Sequence, residues 1–162
     1  MKAILLFLGL GLLPIVGCSS KPAVSLINQE ASLTGALPYN PLQWKVITSS
    51  VNRPSSTMST LYGNDIAVQY ARTNPEHNYP AGSVLSLVTW SQREDPHWFG
   101  ARIPGAVKSV EFVTASAAYN QKPIYAYERY QDAPLKKVAL TDKDAMNERM
   151  NHLLAERAAV MP

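Results

Sequence analysis

The sequence predicts an α+β domain, in which a β-sheet carries packed helices. The strongest strand signal is "SVLSLVTWSQ", residues 83–92, where apolar side chains fall on both sides of the strand alternation. Residues 106–116 and 123–131 are rich in the β-branched and aromatic residues typical of strands. The chain then ends in a stretch of helical period, residues 141–159. At 162 residues, with 46% hydrophobic and 17% charged, the chain can form one domain with a core.

The first seventeen residues predict an export signal that precedes this domain. Lys2 gives a positive start, and an apolar core of roughly 14 residues follows, which is short of the ~20 that span a bilayer. The segment "IVGCSS", residues 15–20, resembles a bacterial lipobox, which implies cleavage before Cys18 and its acylation by chains such as palmitate. The alternative is an ordinary secretory signal with an incidental cysteine.

Cys18 is the one cysteine of the chain, so it cannot close an internal disulfide. Several acyl chains, at roughly 0.8 kcal/mol per buried methylene, would hold the protein firmly to a membrane. Ser19 is not the aspartate that retains Gram-negative lipoproteins at the inner membrane, so we expect an outer-membrane protein that faces the periplasm. Residues 18–40 lack a sustained period and predict the lipidated cysteine and its tether, with the domain over residues 41–162.

Charge excludes one class of partner. Removal of residues 1–17 removes only Lys2, which leaves 14 Lys and Arg against 12 Asp and Glu, a net charge of +2. The basic residues are scattered, with a single adjacent pair at 136–137, and this pattern does not favour nucleic-acid binding. The predicted partner is the membrane, through the lipid anchor.

Two elements are predicted before the strong strand. Residues 42–49 alternate as a first strand, with one side formed by Leu42, Trp44, Val46 and Thr48. Residues 50–59, rich in Ser, Pro and Asn, predict a loop. A helix of about two turns then follows Asn64 as N-cap and Asp65 in the first turn, with a buried face formed by Ile66, Ala67 and Tyr70.

The later elements complete the sheet and cover it. In the central strand, Val84, Val88 and Trp90 face one way, whereas Leu85 and Leu87 face the other. The C-terminal helix has Thr141 and Asp144 in an approximate capping box. Its apolar stripe should lie across the sheet and comprises Met146, Met150, Leu153 and Arg157.

The common catalytic patterns are not found. The three histidines have no metal-ligand spacing, Cys18 is committed to lipid, and there is no Gly-x-Ser-x-Gly turn. His77 and His152 are expected to be solvated surface residues. A hydrolase would depend on dispersed carboxylates whose relative positions the sequence does not give: Asp65, Glu76, Glu94, Asp95 and Glu111.

The segment "DPHWFGARIPG", residues 95–105, is the best candidate for a site. Pro96 keeps the preceding residue out of helical angles, and His97 is followed by two large aromatic residues. In one interpretation Trp98 and Phe99 close the end of the sheet, and His97 makes only a structural hydrogen bond. In the other, a pocket for a planar or anionic ligand is lined by His97, Trp98, Phe99 and Arg102.

These segments carry a family resemblance. The stretch "LYGNDIAVQYA", residues 61–71, and the stretch from "YPAGSVLSLVTW" to "SVEFV", residues 79–113, are similar to the cytochrome P460 family, and the resemblance covers roughly residues 41–131. It implies a compact, largely antiparallel β fold with helices packed on one side. Haem-bearing members attach c-type haem through Cys-x-x-Cys-His near the C-terminus, and this chain has no such motif.

We therefore predict a lipid-anchored envelope protein with this domain, without covalent haem, that serves as a non-catalytic binding or structural module. The alternative is a redox or small-molecule-sensing protein, of the oxidoreductase class if it is an enzyme. It would bind noncovalent haem with His97 as axial ligand, and His152 is the second candidate for that ligand.

Overall fold

The computed structural model describes residues 27–74, 76–117 and 122–159. Its elements are β1 (Lys45–Asn52), β2 (Thr57–Gly63), α1 (Asp65–Thr73), β3 (Val84–Glu94), β4 (Arg102–Ser116), β5 (Ile124–Gln131), β6 (Lys136–Lys137) and α2 (Lys143–Ala155). The six strands form one antiparallel sheet in chain order. The predicted α+β class is confirmed. Within the described ranges, no helix is long and apolar enough to cross a membrane.

Strands β3 and β4 occupy the centre of the sheet and are buried on both sides. The prediction for β3 is confirmed, because Leu85 and Leu87 belong to one core and Val84, Val88 and Trp90 to the other. We call the side of Leu85 and Leu87 the helix face, since α1 and α2 pack there. We call the side of Trp90 the N-terminal face, because the chain before β1 covers it.

Helix α1 begins as predicted and packs closely on the helix face. The side chain of Asn64 accepts a hydrogen bond from the backbone N–H of Ala67, which satisfies one free donor of the first turn. Of the predicted buried face, Ala67 is buried and Tyr70 packs against the core, whereas Ile66 is exposed and Val68 is buried in its place. Gly63 allows the close approach, since a Cβ there would lie 2.8 Å from the Cδ1 of Ile47.

The N-terminal face is covered by residues that were expected to form a tether. Leu33 and Leu37 pack against its core, and the indole N–H of Trp90 donates to the carbonyl of Ala31 at 2.9 Å. Gly35 forms a parallel bridge with Leu135 near β6. The described part of the segment, residues 27–40, is therefore packed on the sheet and does not extend away from it. Cys18 lies outside the described residues.

The first predicted strand and loop are both corrected. Residues 41–43 form a 3-10 turn, and β1 begins later, at Lys45. The register shifts near Ile47, whose side chain is buried although the alternation placed it with polar neighbours. The predicted loop, residues 50–59, contains the end of β1, a tight turn and the start of β2.

The C-terminal helix packs as predicted but begins one residue later. Asp142, and not Thr141, is the N-cap, and its carboxylate accepts hydrogen bonds from the backbone N–H groups of Asp144 and Ala145. Leu153 and Leu154 are buried on the helix face. Arg157 lies beyond the end of the helix and is exposed, so it does not belong to the buried stripe.

Candidate functional site

The four residues predicted to line a pocket lie at the β3–β4 hairpin. Residues 95–101 form its loop, and Arg102 is the first residue of β4. His97 is exposed, Trp98 is 72% exposed, and Phe99 is fully exposed. The structure brings these side chains together at one end of the sheet, but as a projecting tip and not as the walls of a cavity. A ligand on His97 stays a prediction.

A polar groove lies on the helix face, between the sheet and α2. Its volume is about 220 Å³. The sheet contributes a floor of small polar side chains from three adjacent strands: Thr48, Ser50, Asn52, Thr57, Ser59 and Thr89. The helix and its C-terminal end contribute the opposite wall: Arg149, His152 and Glu156.

The floor of the groove follows from the strand register. Ser50 pairs with Ser59, and Ser59 pairs with Thr89, so the three side chains form one row across β1, β2 and β3. The hydroxyls of Ser59 and Thr89 lie 2.9 Å apart and share a hydrogen bond. The row lines the groove between the sheet and α2, so its hydroxyls remain accessible to a ligand there.

A buried ion pair fixes the helix wall. The Arg149 guanidinium donates two hydrogen bonds to the carboxylate of Glu111, from Nε to Oε2 at 2.8 Å and from Nη2 to Oε1 at 3.0 Å. The Tyr127 hydroxyl donates to the same Oε2 at 2.5 Å. Burial, reinforced by that hydrogen bond, holds the pKa of Tyr127 well above its usual value, and the bond to Glu111 raises the pKa of Arg149.

A second side-chain contact of the groove wall lies one turn further along α2. His152 Nε2 is 3.4 Å from Glu156 Oε1 across an i,i+4 spacing. The Arg149 guanidinium is thus already paired with Glu111, and the carboxylate of Glu156 has the His152 ring beside it. Because the guanidinium is paired, the groove favours an uncharged ligand over an anion.

A larger cleft of about 640 Å³ lies beside the C-terminal end of α1. His77 and Tyr79 line it, together with the chain after α2. Burial raises the pKa of Tyr79 to about 12. One wall of this cleft is the connector between α1 and β3, whereas the walls of the groove are a sheet and a helix, which hold side chains more precisely than a loop does. We therefore place the candidate site in the groove.

The carboxylates considered for hydrolysis do not converge. Asp65 begins α1 and pairs with Lys45 at 2.8 Å, which lowers the pKa of Asp65. Glu94 ends β3 and pairs with Arg102 at 3.6 Å. Glu111 is saturated by Arg149 and Tyr127. Asp65, Glu94 and Glu111 therefore do not form a paired acid and base for general catalysis.

Few of the described residues are suited to bind haem or a metal ion. Within the described ranges, no group of three His, Cys, Asp or Glu side chains could hold a metal ion. The sequence has one cysteine, so the two thioether bonds of a c-type haem cannot form. His152 faces a groove of about 220 Å³, whereas typical pockets for drug-sized ligands have volumes of ~300–1,000 Å³. The groove is therefore too small for a tetrapyrrole. The residues that are present therefore do not fit haem at this groove.

Sequence reasoning did not find the groove. Hydroxyl and amide side chains recur at alternate positions in residues 48–52 and again at Thr57 and Ser59, which is the period of a strand with a polar face. The composition of residues 50–59 was instead interpreted as a loop. The alternation of these polar residues was the signal that could have indicated the groove. Of the groove residues, the sequence had suggested only His152 as a ligand.

The family model described as Cytochrome P460 matches residues 39–159. This range includes all six strands and both helices of the sheet domain. None of the curated proteins is significantly similar to the chain.

Proposed function

Because the chain belongs to the cytochrome P460 family, we propose that it uses the family's sheet as a non-catalytic binding module, without covalent haem, anchored to the bacterial envelope. The observation that carries this proposal is the polar groove on the helix face, formed by the hydroxyl row of the sheet and by the side chains of Arg149, His152 and Glu156. The groove offers hydrogen-bonding groups, and its acids and bases are already paired with each other.

The groove best fits a small, uncharged ligand that is rich in hydroxyl or amide groups. The Ser50, Ser59 and Thr89 hydroxyls can each donate and accept a hydrogen bond, and Asn52 adds an amide. A charged ligand would have to compete with the bidentate pair of Arg149 and Glu111. At about 220 Å³, the groove takes a ligand of about the size of a single sugar ring.

The proposed location is the outer membrane, with the domain in the periplasm. This part of the proposal is supported by the apolar leader, by the lipobox-like residues around Cys18 and by the use of a single cysteine. Replacement of Cys18 with Ser should abolish incorporation of a labelled fatty acid in growing cells. Persistent labelling of that variant would contradict the anchor.

The groove is tested with N-acetylglucosamine as the probe, added to purified protein and followed by NMR chemical shifts. We expect shifts confined to the groove residues, and we expect Ser50→Phe to abolish them by filling the space above Ser59. The matched control is Ser49→Phe, because Ser49 is an equally exposed serine on the same strand whose side chain points to the opposite face. Equal loss of binding in both variants would contradict the groove.

Haemin provides the contrasting probe. Titration of the wild-type protein should leave the Soret band of free haemin unshifted. A shifted band that His97→Ala weakens would instead support the noncovalent haem protein, and one that His152→Ala weakens would place the haem at the groove.

A further inference from the structure

We infer that the tip of the β3–β4 hairpin, formed by Trp98 and Phe99, inserts into the interface of the lipid bilayer that holds the Cys18 anchor. This inference rests on the anchored location proposed above. It assigns the hairpin a lipid surface as its partner. The observations that carry it are the exposure of the two aromatic residues, the order of the loop, and the point at which the N-terminal segment meets the sheet.

The two aromatic side chains are adjacent and are both presented to solvent. Trp98 is 72% exposed and Phe99 is fully exposed, whereas Trp90, which lies within β3 of the same hairpin, is buried. Aromatic side chains bury large apolar areas when they find a partner, so adjacent exposed ones at a loop tip are typical of an interaction site.

The loop holds this pair in a defined conformation. The Asp95 carboxylate accepts a hydrogen bond from the backbone N–H of His97 at 2.8 Å, and the N–H of Ala101 donates to the carbonyl of Trp98 at 3.0 Å. Gly100 adopts a φ of +79°, which favours glycine, and open space surrounds the position of its absent side chain. The tip therefore projects from the sheet as an ordered turn.

The N-terminal segment meets the sheet at the stem of this hairpin. The Asn28 side chain donates to the carbonyl of Pro104 at 2.7 Å and accepts from the guanidinium of Arg93 at 3.5 Å. Arg93 pairs with Ile103 in the last part of the ladder before the loop. Asn28, near the start of the described residues, is thus fixed at the stem of the hairpin.

Chain length restricts how far the bilayer can be from this point. Asn28 follows Cys18 by ten residues, which span at most roughly 35 Å when fully extended. The opposite end of the sheet lies a further strand length away, since β3 runs for 11 residues from the hairpin. The tether therefore attaches nearer to the end that carries Trp98 and Phe99 than to the opposite end, which favours contact of this end with the bilayer.

The chemistry of the tip fits the interfacial region of a lipid bilayer. Tryptophan partitions favourably to this region because its ring is apolar and its N–H is polar. The charges of the stem are matched: Arg102 lies 3.6 Å from Glu94, and Arg93 lies 3.3 Å from Glu30. The contact should therefore depend on the aromatic rings and not require anionic lipids.

The test uses the full lipidated chain in phosphatidylcholine vesicles, made with and without dibrominated acyl chains that quench tryptophan fluorescence at contact. The wild-type fluorescence should fall in the brominated vesicles, and Trp98→Phe should lose most of that fall, because Trp44 and Trp90 are not at the tip. In a matched control, Trp98→Phe is combined with Ile124→Trp, which places an exposed tryptophan at the start of β5, at the opposite end of the sheet. This variant should not regain the quenching.

The outcomes distinguish failure of the hairpin inference from failure of the lipid anchor on which it rests. If the chain floats with the vesicles but its fluorescence is unchanged by bromine, the hairpin inference is wrong and the anchor stands. If the control with Ile124→Trp is quenched as strongly as the wild type, the orientation is wrong. If the chain does not float and matches Cys18→Ser, the anchor fails and the inference fails with it.

Discussion

Glu111, on β4, holds Arg149 of the groove wall in place, because its side chain is only 2% exposed and depends on Arg149 for its counter-charge. Arg149→Leu would leave this carboxylate buried without a cation, which should lower the free energy of unfolding by about 3–5 kcal/mol. Combining it with Glu111→Leu should recover part of the loss. Urea denaturation measures both.

The matched control for this prediction is Arg102→Leu, which removes an exposed pair with Glu94. Its cost should not exceed about 1 kcal/mol, because water screens both charges. If Arg102→Leu is as destabilising as Arg149→Leu, Arg149 does not act as the counter-charge of Glu111. The same follows if Arg149→Leu with Glu111→Leu is less stable than either single variant.

Tyr79 gives the domain a predictable response to alkaline pH. Burial raises its pKa to about 12 from the usual 10, so between these values the unfolded chain releases a proton that the folded chain keeps. The stabilisation is fully present below pH 10 and is lost as the pH rises towards 12, by up to about 2 kcal/mol.

Tyr79→Phe keeps the ring, and its backbone carbonyl can still accept the hydrogen bond from Tyr125. The variant should therefore lose less stability than the wild type between pH 10 and pH 12 in parallel urea titrations. Other groups that titrate in this range affect the free energy of unfolding of both proteins alike, so the difference between the two curves isolates Tyr79. Parallel curves would show that Tyr79 does not contribute.

Among the elements, α1 depends on the absence of a side chain at Gly63. A Cβ there would lie 2.8 Å from the Ile47 Cδ1 and 3.0 Å from the Ala67 Cβ. Gly63→Ala should therefore destabilise the domain by about 1–3 kcal/mol. Ile47→Val removes the atom closest to the added Cβ. The variant that combines Gly63→Ala with Ile47→Val should therefore lose less stability than the sum of the two single losses. Strict additivity in thermal unfolding would contradict this packing.

The strands also show how much of the fold and site was predictable. The two faces of β3 could be predicted because Val, Leu and Trp at alternate positions leave no other arrangement that buries them. Residues 50–59 were misinterpreted because Ser and Asn favour loops unless neighbouring strands pair with them. The exposure of Trp98 could not be predicted, since it depends on how far the hairpin extends beyond the other strands.

At the scale of the whole molecule, one sheet separates two cores. The helix face and the N-terminal face share β3 and β4, whose residues alternate between them. We therefore expect a single cooperative unfolding transition in urea. The fluorescence of the buried Trp90 reports the N-terminal face, and the circular dichroism of the helices reports the helix face. Their midpoints should coincide, and separate midpoints would show that the cores unfold independently.

The backbone N–H of Ala159 donates to the carbonyl of Ile47, near the start of β1, whereas Asn28 is fixed beside the hairpin loop. Asn28 and Ala159 thus lie near opposite ends of the sheet. A fluorescent reporter fused after the last residue would be displayed on the side remote from the aromatic tip. Such a fusion could mark the domain in living cells without obstructing the loop.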